Sequence, residues 1–273
     1  MPNKKIKIGL IGCGAIGYEI AQAIDTNFKN CASLVAISDI DQTKTESLKK
    51  TLEKKPEILA IDKLIKKSDL VIEAASAKIS GQVAKKAIMK KKDVMIMSTG
   101  GIINDYAALF NLAQKQGCKI YLPSGAICGL DGVKAGLLGK ISKAELITRK
   151  PPLALSGAPF IQKNNIDLNS IKAETIIFDG TAKEAIEGFP ANINVSCALS
   201  IAGIGPKKTK VRIVTSPEYE RNIHEIIVEG EFGKLTAKTE NVPSPNNPKT
   251  SYLAVLSAIA TLKQILSPAK IGT

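Results

Sequence analysis

The sequence predicts an α/β protein in which a doubly wound N-terminal domain is followed by a second, α+β domain. Two observations lead to this fold class. In the first half of the chain, short aliphatic runs alternate with helical patterns, and strands that are apolar throughout are typical of a parallel sheet covered by helices on both faces. In the second half, strand candidates follow one another without a helix between each pair, which is typical of an α+β domain.

Apolar runs and periodic segments define the elements of the first half. The predicted strands are Ile6–Ile11, Leu34–Ser38, Leu70–Ile72, Val94–Met97 and Lys119–Leu122. The predicted helices are Ala15–Ile24, Thr43–Lys54, Ser80–Lys90 and Tyr106–Gln116. This regular alternation predicts a doubly wound domain of the Rossmann type.

The second half predicts strands at Glu145–Thr148, Thr175–Phe178, Lys210–Thr215, Ile223–Glu229 and Lys234–Thr239. The last three are closely spaced and predict an antiparallel meander. Helices are predicted at Asn192–Ala202 and Ser251–Leu266, and we expect the last helix to pack back onto the first domain. The predicted domains are residues 1–125 with 250–273, which bind a dinucleotide, and residues 126–249, which bind substrate and form the oligomer.

Composition narrows the class of protein. The chain has 273 residues and a net charge of +13, but arginine occurs only at Arg149, Arg212 and Arg221, and the lysines are spread along the chain. We therefore expect no nucleic-acid partner. The five cysteines show no Cys-x-x-Cys spacing, so neither disulfides nor a metal site is indicated. No apolar run is long enough to span a bilayer, and we expect a cytoplasmic protein without a membrane partner.

A glycine-rich motif follows the first strand. Gly12, Gly14 and Gly17 have the spacing G-x-G-x-x-G, with Ala15 and Ile16 between the last two glycines. Such a turn lets the backbone approach a pyrophosphate, and the N-terminus of the following helix holds its negative charge. Because the motif lies between a strand and a helix, it predicts a dinucleotide site rather than an ordinary tight turn.

Asp39 ends the second predicted strand, 22 residues after Gly17. A carboxylate at that distance accepts hydrogen bonds from the adenosine ribose and disfavours a 2′-phosphate, so NAD is the first choice of cofactor. Lys44 leaves NADP open. Ala75 and Ser76 follow a later strand, where small residues leave room for a nicotinamide or simply form a tight turn.

The single histidine is the candidate catalytic group. His224 lies in a predicted strand with Ile226 and Val228 on the same face. A neutral imidazole suits proton transfer near pH 7, and a structural histidine on a half-buried strand is the alternative.

Cationic and amide side chains are candidates for binding an anionic substrate. Arg149 and Lys150 directly follow a predicted strand, and Lys249 and Thr250 precede the last predicted helix. A guanidinium can hold a carboxylate with two hydrogen bonds, whereas a surface charge pair is the alternative reading. Asn192 and Asn194 begin a predicted helix, where an amide contacts a ligand or caps the helix.

Six segments together resemble the L-aspartate dehydrogenase family. They are Gly12–Gly17, Pro123–Gly132, Thr148–Pro152, Phe189–Val195, Asn222–Ile226 and Asn241–Ser251. The first is common to dinucleotide enzymes, and the other five are specific to the family. The resemblance covers nearly the whole chain.

The resemblance implies oxidation of L-aspartate by NAD or NADP to iminoaspartate, which water converts to oxaloacetate and ammonia. It places the family's catalytic histidine at His224 and its cofactor contacts near Ala126 and at Asn192 or Asn194. It also implies a place in NAD biosynthesis, with transfer of iminoaspartate to quinolinate synthase, and a homodimer or homotetramer.

Three alternatives stay open from the sequence. A dihydrodipicolinate reductase has a similar two-domain plan but a histidine-rich catalytic segment, and this chain has one histidine. A homoserine dehydrogenase-like enzyme would use a catalytic lysine. A nucleotide-sensing protein would keep the fold without catalysis.

Overall fold

The computed structural model describes residues 5–190, 194–245 and 247–272. The chain divides into two compact units. The first is Met1–Pro123 with Val255–Lys270, and the second is Ser124–Ala254 with Ile271–Thr273.

The first unit contains a six-stranded parallel sheet. Its strands are β1 (Ile6–Ile11), β2 (Ala32–Ser38), β3 (Glu57–Ile58), β4 (Leu70–Glu73), β5 (Asp93–Ile96) and β6 (Ile120–Tyr121), and its first five helices are α1 (Ala15–Asp25), α2 (Gln42–Thr51), α3 (Ile61–Lys67), α4 (Ala77–Met89) and α5 (Tyr106–Gln116). The strand order is β3-β2-β1-β4-β5-β6. This order reverses beside β1, as in Rossmann-type domains, and confirms the predicted fold class.

The sequence analysis did not predict β3 and α3, which connect α2 to β4. The short strand β3 pairs with β2 through Ala36 and Ile37. In α3, Leu64 and Ile65 are buried. Only two residues form the strand, so its apolar pattern is too short to stand out from a loop.

The second unit contains a mixed five-stranded sheet. Its elements are α6 (Leu130–Gly136), β7 (Ile141–Lys150), α7 (Pro159–Lys163), β8 (Thr175–Thr181), α8 (Ala182–Gly188), α9 (Asn194–Ala202), β9 (Lys210–Thr215), β10 (Asn222–Gly230) and β11 (Gly233–Asn241), followed by the short strands β12 (Pro243–Ser244) and β13 (Asn247–Ser251). The sheet order is β11-β10-β7-β9-β8.

This order corrects the predicted meander. β10 and β11 form an antiparallel hairpin as expected, but β9 does not pair with β10. Instead, β7 lies between them, antiparallel to β10 and parallel to β9. The neighbour of β9 in the sheet is set by packing rather than by closeness in sequence.

The two faces of β7 differ in chemistry. Ala144 and Leu146 point into the hydrophobic core of the second unit. Because successive side chains of a strand point to opposite faces, Thr148 and Lys150 share that inner face, and Arg149 lies on the other. The inner face thus changes from apolar to polar as β7 reaches its C-terminal end.

The C-terminal helix α10 (Tyr252–Leu266) contributes to the core of the first unit. Its Ala258 and Leu262 are fully buried in the same hydrophobic cluster as Ile20 and Ile24 of α1. Burial of a leucine side chain contributes about 1.5–3 kcal/mol. The predicted return of the last helix to the first domain is confirmed. No helix in the described part of the chain is long and apolar enough to cross a membrane.

Candidate functional site

The glycine-rich loop between β1 and α1 has the geometry that a dinucleotide pyrophosphate needs. Gly12 has a φ of +98°, and a Cβ there would lie 2.4 Å from the Ala74 carbonyl oxygen. A Cβ at Gly17 would lie 2.0 Å from the Gly12 carbonyl oxygen. Both positions therefore require glycine. A Cβ at Gly14 would meet nothing within 4 Å, so this part of the loop is open to a ligand.

The start of α1 fits an anionic ligand. Gly14 precedes the helix without a side-chain cap, and the first turn, which contains Ala15 and Ile16, carries no acidic residue. The first N–H groups of a helix have no intrahelical acceptor, and its dipole favours a negative charge there. The residues present therefore fit the phosphates of a dinucleotide.

Asp39 joins the end of β2 to the glycine-rich loop. Its Oδ2 accepts a hydrogen bond of 2.6 Å from the Cys13 N–H, and its Oδ1 accepts one of 2.9 Å from the Asp41 N–H. Burial and the neighbouring Asp39 charge raise the pKa of the Cys13 thiol to about 12, so the thiol stays protonated. Lys44 pairs with Asp41 at 3.9 Å, and both side chains are exposed.

Ala75 and Ser76 follow β4 and expose their side chains. Their N–H groups donate to Glu73 Oε1 at 2.8 and 3.0 Å. Because both N–H groups already donate to Glu73, a ligand would contact other atoms of Ala75 and Ser76. Glu73 itself is fully buried, so it does not reach a ligand directly.

His224 lies on the inner face of the second sheet. It is opposite Thr148 of β7 on one side and Thr239 of β11 on the other. Its Nδ1 shares a hydrogen bond of 3.0 Å with Thr148 Oγ1. The histidine is only 4% exposed, and burial, with a smaller contribution from the Lys150 charge, lowers its pKa to about 3. The imidazole is therefore neutral at physiological pH.

Lys150 is the cation on the same face as His224. It is 7% exposed, and burial lowers the pKa of its ammonium group from 10.5 to about 8. Thr215 of the neighbouring strand donates a hydrogen bond of 2.7 Å to its carbonyl oxygen. A buried ammonium group attracts an anion more strongly than an exposed one does.

Arg149 is separated from His224 by the sheet. It lies on the opposite face, where its Nη1 donates to Glu225 Oε2 at 2.9 Å. The structure therefore brings Lys150, and not Arg149, together with the histidine. The two cations are adjacent in sequence and differ only in the face that the strand gives them.

The remaining predicted site residues are Ala126, Asn192, Asn194, Lys249 and Thr250. The Ala126 carbonyl oxygen accepts from Thr239 Oγ1 at 2.7 Å and from Asn241 Nδ2 at 3.2 Å. Asn194 is exposed at the start of α9, and Asn192 lies outside the described residues. Thr250 Oγ1 accepts from Asn247 Nδ2 at 3.2 Å, and the Lys249 side chain also lies outside the described part.

Comparison with known proteins gives the family. Residues 131–265 match the family model of the C-terminal part of aspartate dehydrogenase, and residues 12–123 match the NAD-binding domain of homoserine dehydrogenase. An L-aspartate dehydrogenase of Methanosarcina barkeri is 48% identical over 98% of this chain and 100% of its own length. Another, from Bradyrhizobium diazoefficiens, is 38% identical over 99% and 95%.

This chain belongs to the L-aspartate dehydrogenase family. It is an oxidoreductase of the NAD(P)-dependent amino-acid dehydrogenase type, and NAD is its cofactor. An aspartate dehydrogenase of Thermotoga maritima has the same fold, with a TM-score of 0.78 and 23% identity over 98% of this chain and 100% of that one. A homoserine dehydrogenase of Thiobacillus denitrificans has a TM-score of 0.65 and 14% identity over 97% and 74%.

The sequence did not show the hydrogen-bonding roles of two residues. Thr148 is the side-chain partner of His224, although 76 residues separate them. Glu73 organises the loops after β4 and β5. A hydrogen bond across two strands depends on their register, which no local motif records.

Proposed function

We propose that this protein is an L-aspartate dehydrogenase that oxidises L-aspartate to iminoaspartate with NAD. Water then converts the imine to oxaloacetate and ammonia. The observation that carries the proposal is similarity to L-aspartate dehydrogenases along almost the whole chain, at 48% identity over 98% of it. Both units are included in that similarity, so the cofactor part and the substrate part are inferred together.

The first unit binds the cofactor. Gly12, Gly14 and Gly17 form the turn beneath the pyrophosphate, and the N-terminus of α1 supplies N–H donors at Ala15 and Ile16. NAD, when bound, accepts the hydride from the α-carbon of the substrate. Asp39 accepts the ribose hydroxyls, which favours NAD over NADP. Ala75 and Ser76 are the further candidate contacts in this unit, and the resemblance to the family adds Ala126 and one of Asn192 and Asn194, which belong to the second unit, as candidates.

The second unit binds the substrate. Lys150 attracts one carboxylate of aspartate because its ammonium group is buried beside the histidine. A carboxylate next to this ammonium group forms a charge-assisted hydrogen bond that is stronger than a neutral one. Lys249 and Thr250 are the further candidates for the second carboxylate, and Arg149 is the least favoured because it pairs with Glu225 on the other face of the sheet.

His224 is the base that accepts the proton from the substrate amine in this proposal. A hydride leaves the α-carbon only when the substrate amine has lost its extra proton, and a base also activates the water that attacks the imine. A pKa of about 3 is too low for an efficient base. A substrate carboxylate would offset the Lys150 charge and raise this pKa. Proton transfer is then confined to the complex that contains substrate.

The wider setting of the enzyme follows from the same inference. We place it in NAD biosynthesis, where quinolinate synthase would receive the iminoaspartate. A homodimer or homotetramer is the expected assembly. A cytoplasmic location is supported by five free cysteines, since reducing compartments keep thiols in that form.

A homoserine dehydrogenase-like oxidation is the second candidate. Two observations favour it: the match of residues 12–123 to a homoserine dehydrogenase NAD-binding domain, and a buried lysine whose pKa of about 8 would let it transfer a proton. The two candidates differ in their dependence on His224. Homoserine oxidation that survives the loss of His224 would favour the second.

The test is NADH formation, followed by absorbance in the near ultraviolet. L-Aspartate is compared with L-glutamate, L-homoserine and L-alanine, each with NAD and with NADP. Turnover with aspartate alone supports the proposal and ranks the two cofactors. Turnover with homoserine alone supports the second candidate, and measurable NAD binding without any turnover would point to a sensor.

A further inference from the structure

Glu73 is a buried carboxylate at the edge of the first sheet where the cofactor binds. It is the last residue of β4 and is 0% exposed. In an open parallel sheet, ligands bind beyond the carboxyl ends of the strands. Burial raises the pKa of this carboxyl group, and hydrogen bonds from Ala75, Ser76 and Ser98 oppose that effect.

Four donors from two loops converge on this one side chain. Oε1 accepts from the N–H groups of Ala75 and Ser76 at 2.8 and 3.0 Å, and from Ser98 Oγ at 3.0 Å. Oε2 accepts from the Ser98 N–H at 3.1 Å. The loop after β4 and the loop after β5 are therefore held by the same carboxylate.

The chemistry of these contacts suits an ionised carboxylate. Each donor offers a hydrogen, and an ionised carboxylate only accepts. A buried carboxylate is costly unless it is well hydrogen-bonded, and the four donors meet that requirement. An apolar side chain at position 73 would be enough to fill the core beside β4. The carboxylate is therefore explained by the two loops that it holds and not by packing in the core.

We propose that Glu73 is a positioning residue for the cofactor, which fixes the backbone at Ala75, Ser76 and Ser98 in the arrangement that receives the nicotinamide end of NAD. Glu73 does not touch the cofactor and acts through these two loops. The inference rests on the proposed placement of the cofactor beside Ala75 and Ser76.

Glu73→Gln is the decisive variant because it keeps the size of the side chain. Its amide carries one oxygen and an NH2 group, and that NH2 group would face N–H or O–H donors instead of accepting from them. A buried unsatisfied donor weakens an equilibrium by about tenfold to a hundredfold. NADH, titrated by its fluorescence, should bind about tenfold more weakly. The KM for NAD should rise while the KM for aspartate stays within about twofold.

Asp93→Asn is the matched control. Asp93 is the first residue of β5 and lies at the N-terminal end of the parallel strands, opposite to the C-terminal end where Glu73 lies. It accepts hydrogen bonds from the Lys119 N–H at 2.9 Å and from Tyr121 Oη at 3.5 Å. This substitution, like Glu73→Gln, removes a carboxylate that accepts a hydrogen bond from a backbone N–H group. Thermal unfolding should therefore shift for this variant, whereas its NADH affinity should stay within about twofold of wild type.

Ser98→Ala tests the same contact with a smaller change. It removes only the hydroxyl donor and leaves the carboxylate and the other three donors in place, so we expect about threefold weaker NADH binding. If Glu73→Gln does not fold, this variant decides the matter. Unchanged NADH affinity in Ser98→Ala would then overturn the inference.

Amide hydrogen exchange, measured by NMR, tests the proposed cofactor placement separately from the role of Glu73. Without NADH, exchange at residues 75, 76 and 98 should be faster in Glu73→Gln than in wild type. With NADH, the wild type should show slower exchange at the same amides. No effect of NADH in the wild type would overturn the cofactor placement and the inference with it. Protection in the wild type, combined with wild-type NADH affinity in Glu73→Gln, would overturn the inference alone.

Discussion

Replacement of Lys150 by methionine should stabilise the protein at neutral pH and weaken substrate binding. Burial lowers the pKa of Lys150 from 10.5 to about 8. At about 1.4 kcal/mol per pKa unit, this fall corresponds to about 3 kcal/mol of folding free energy. The folded pKa lies below the unfolded one, so the cost is fully present below pH 8. It disappears as the pH rises from about 8 to 10.5, because the unfolded chain binds the extra proton there.

The assay compares urea denaturation of wild type and Lys150→Met at pH 7 and pH 10. Methionine fills a similar volume without a charge, so the variant should be more stable by about 2–3 kcal/mol at pH 7. That advantage should shrink to less than about 1 kcal/mol at pH 10. Titration of the other lysines is common to both proteins and cancels in the difference. An advantage that is equal at both pH values would refute the reasoning, because it would show that Lys150 is not desolvated in the folded state.

Three further substitutions test the site. His224→Ala should lower kcat by about 10²–10⁴ with little change in NADH affinity, and wild-type turnover would remove His224 from the mechanism. Asp39→Ala should relax the preference against NADP and also weaken NAD binding, since the Cys13 N–H loses its acceptor; an unchanged ratio of kcat/KM for NAD and NADP would contradict this. Thr148→Val should lower kcat about tenfold because His224 Nδ1 loses its hydrogen bond to Thr148 Oγ1. Its effect should vanish in a His224→Ala background, and full additivity of the two changes would count against the pair.

The first unit was predictable because its signals are local. A strand, a glycine-rich turn and a helix follow one another within residues 6–25, and the spacing of the glycines already predicts the turn. Gly12 and Gly17 approach backbone atoms so closely that no other residue fits. The order of the sheet then follows from right-handed connections between parallel strands.

The second unit was less predictable because its sheet order depends on distant pairings. Three closely spaced strand patterns favour a meander, yet β7 enters between β9 and β10. Nothing in the sequence of β9 distinguishes β7 from β10 as its neighbour. Its inward-facing Val211 and Ile213 would be buried beside either one.

The candidate site shows the same limit at the level of single residues. From sequence, Arg149 and Lys150 are two adjacent cations at a strand end, and the guanidinium is the better match for a carboxylate. The register of β7 and β10 sets Thr148 opposite His224. Because successive side chains of a strand point to opposite faces, Lys150 lies on the same face as the histidine. Arg149 lies on the other face and pairs with Glu225.

That placement gives the site its electrostatic character. Burial keeps the His224 imidazole neutral and lowers its pKa to about 3, and the charge of the Lys150 ammonium group makes a smaller contribution. Burial also lowers the pKa of Lys150, to about 8, so each of the two groups is destabilised in its charged form. If aspartate binds here as proposed, a carboxylate placed against the ammonium group would offset the Lys150 charge and so make protonation of the imidazole easier. An amino acid without a side-chain carboxylate would then bring one negative group fewer to the buried ammonium group than aspartate does.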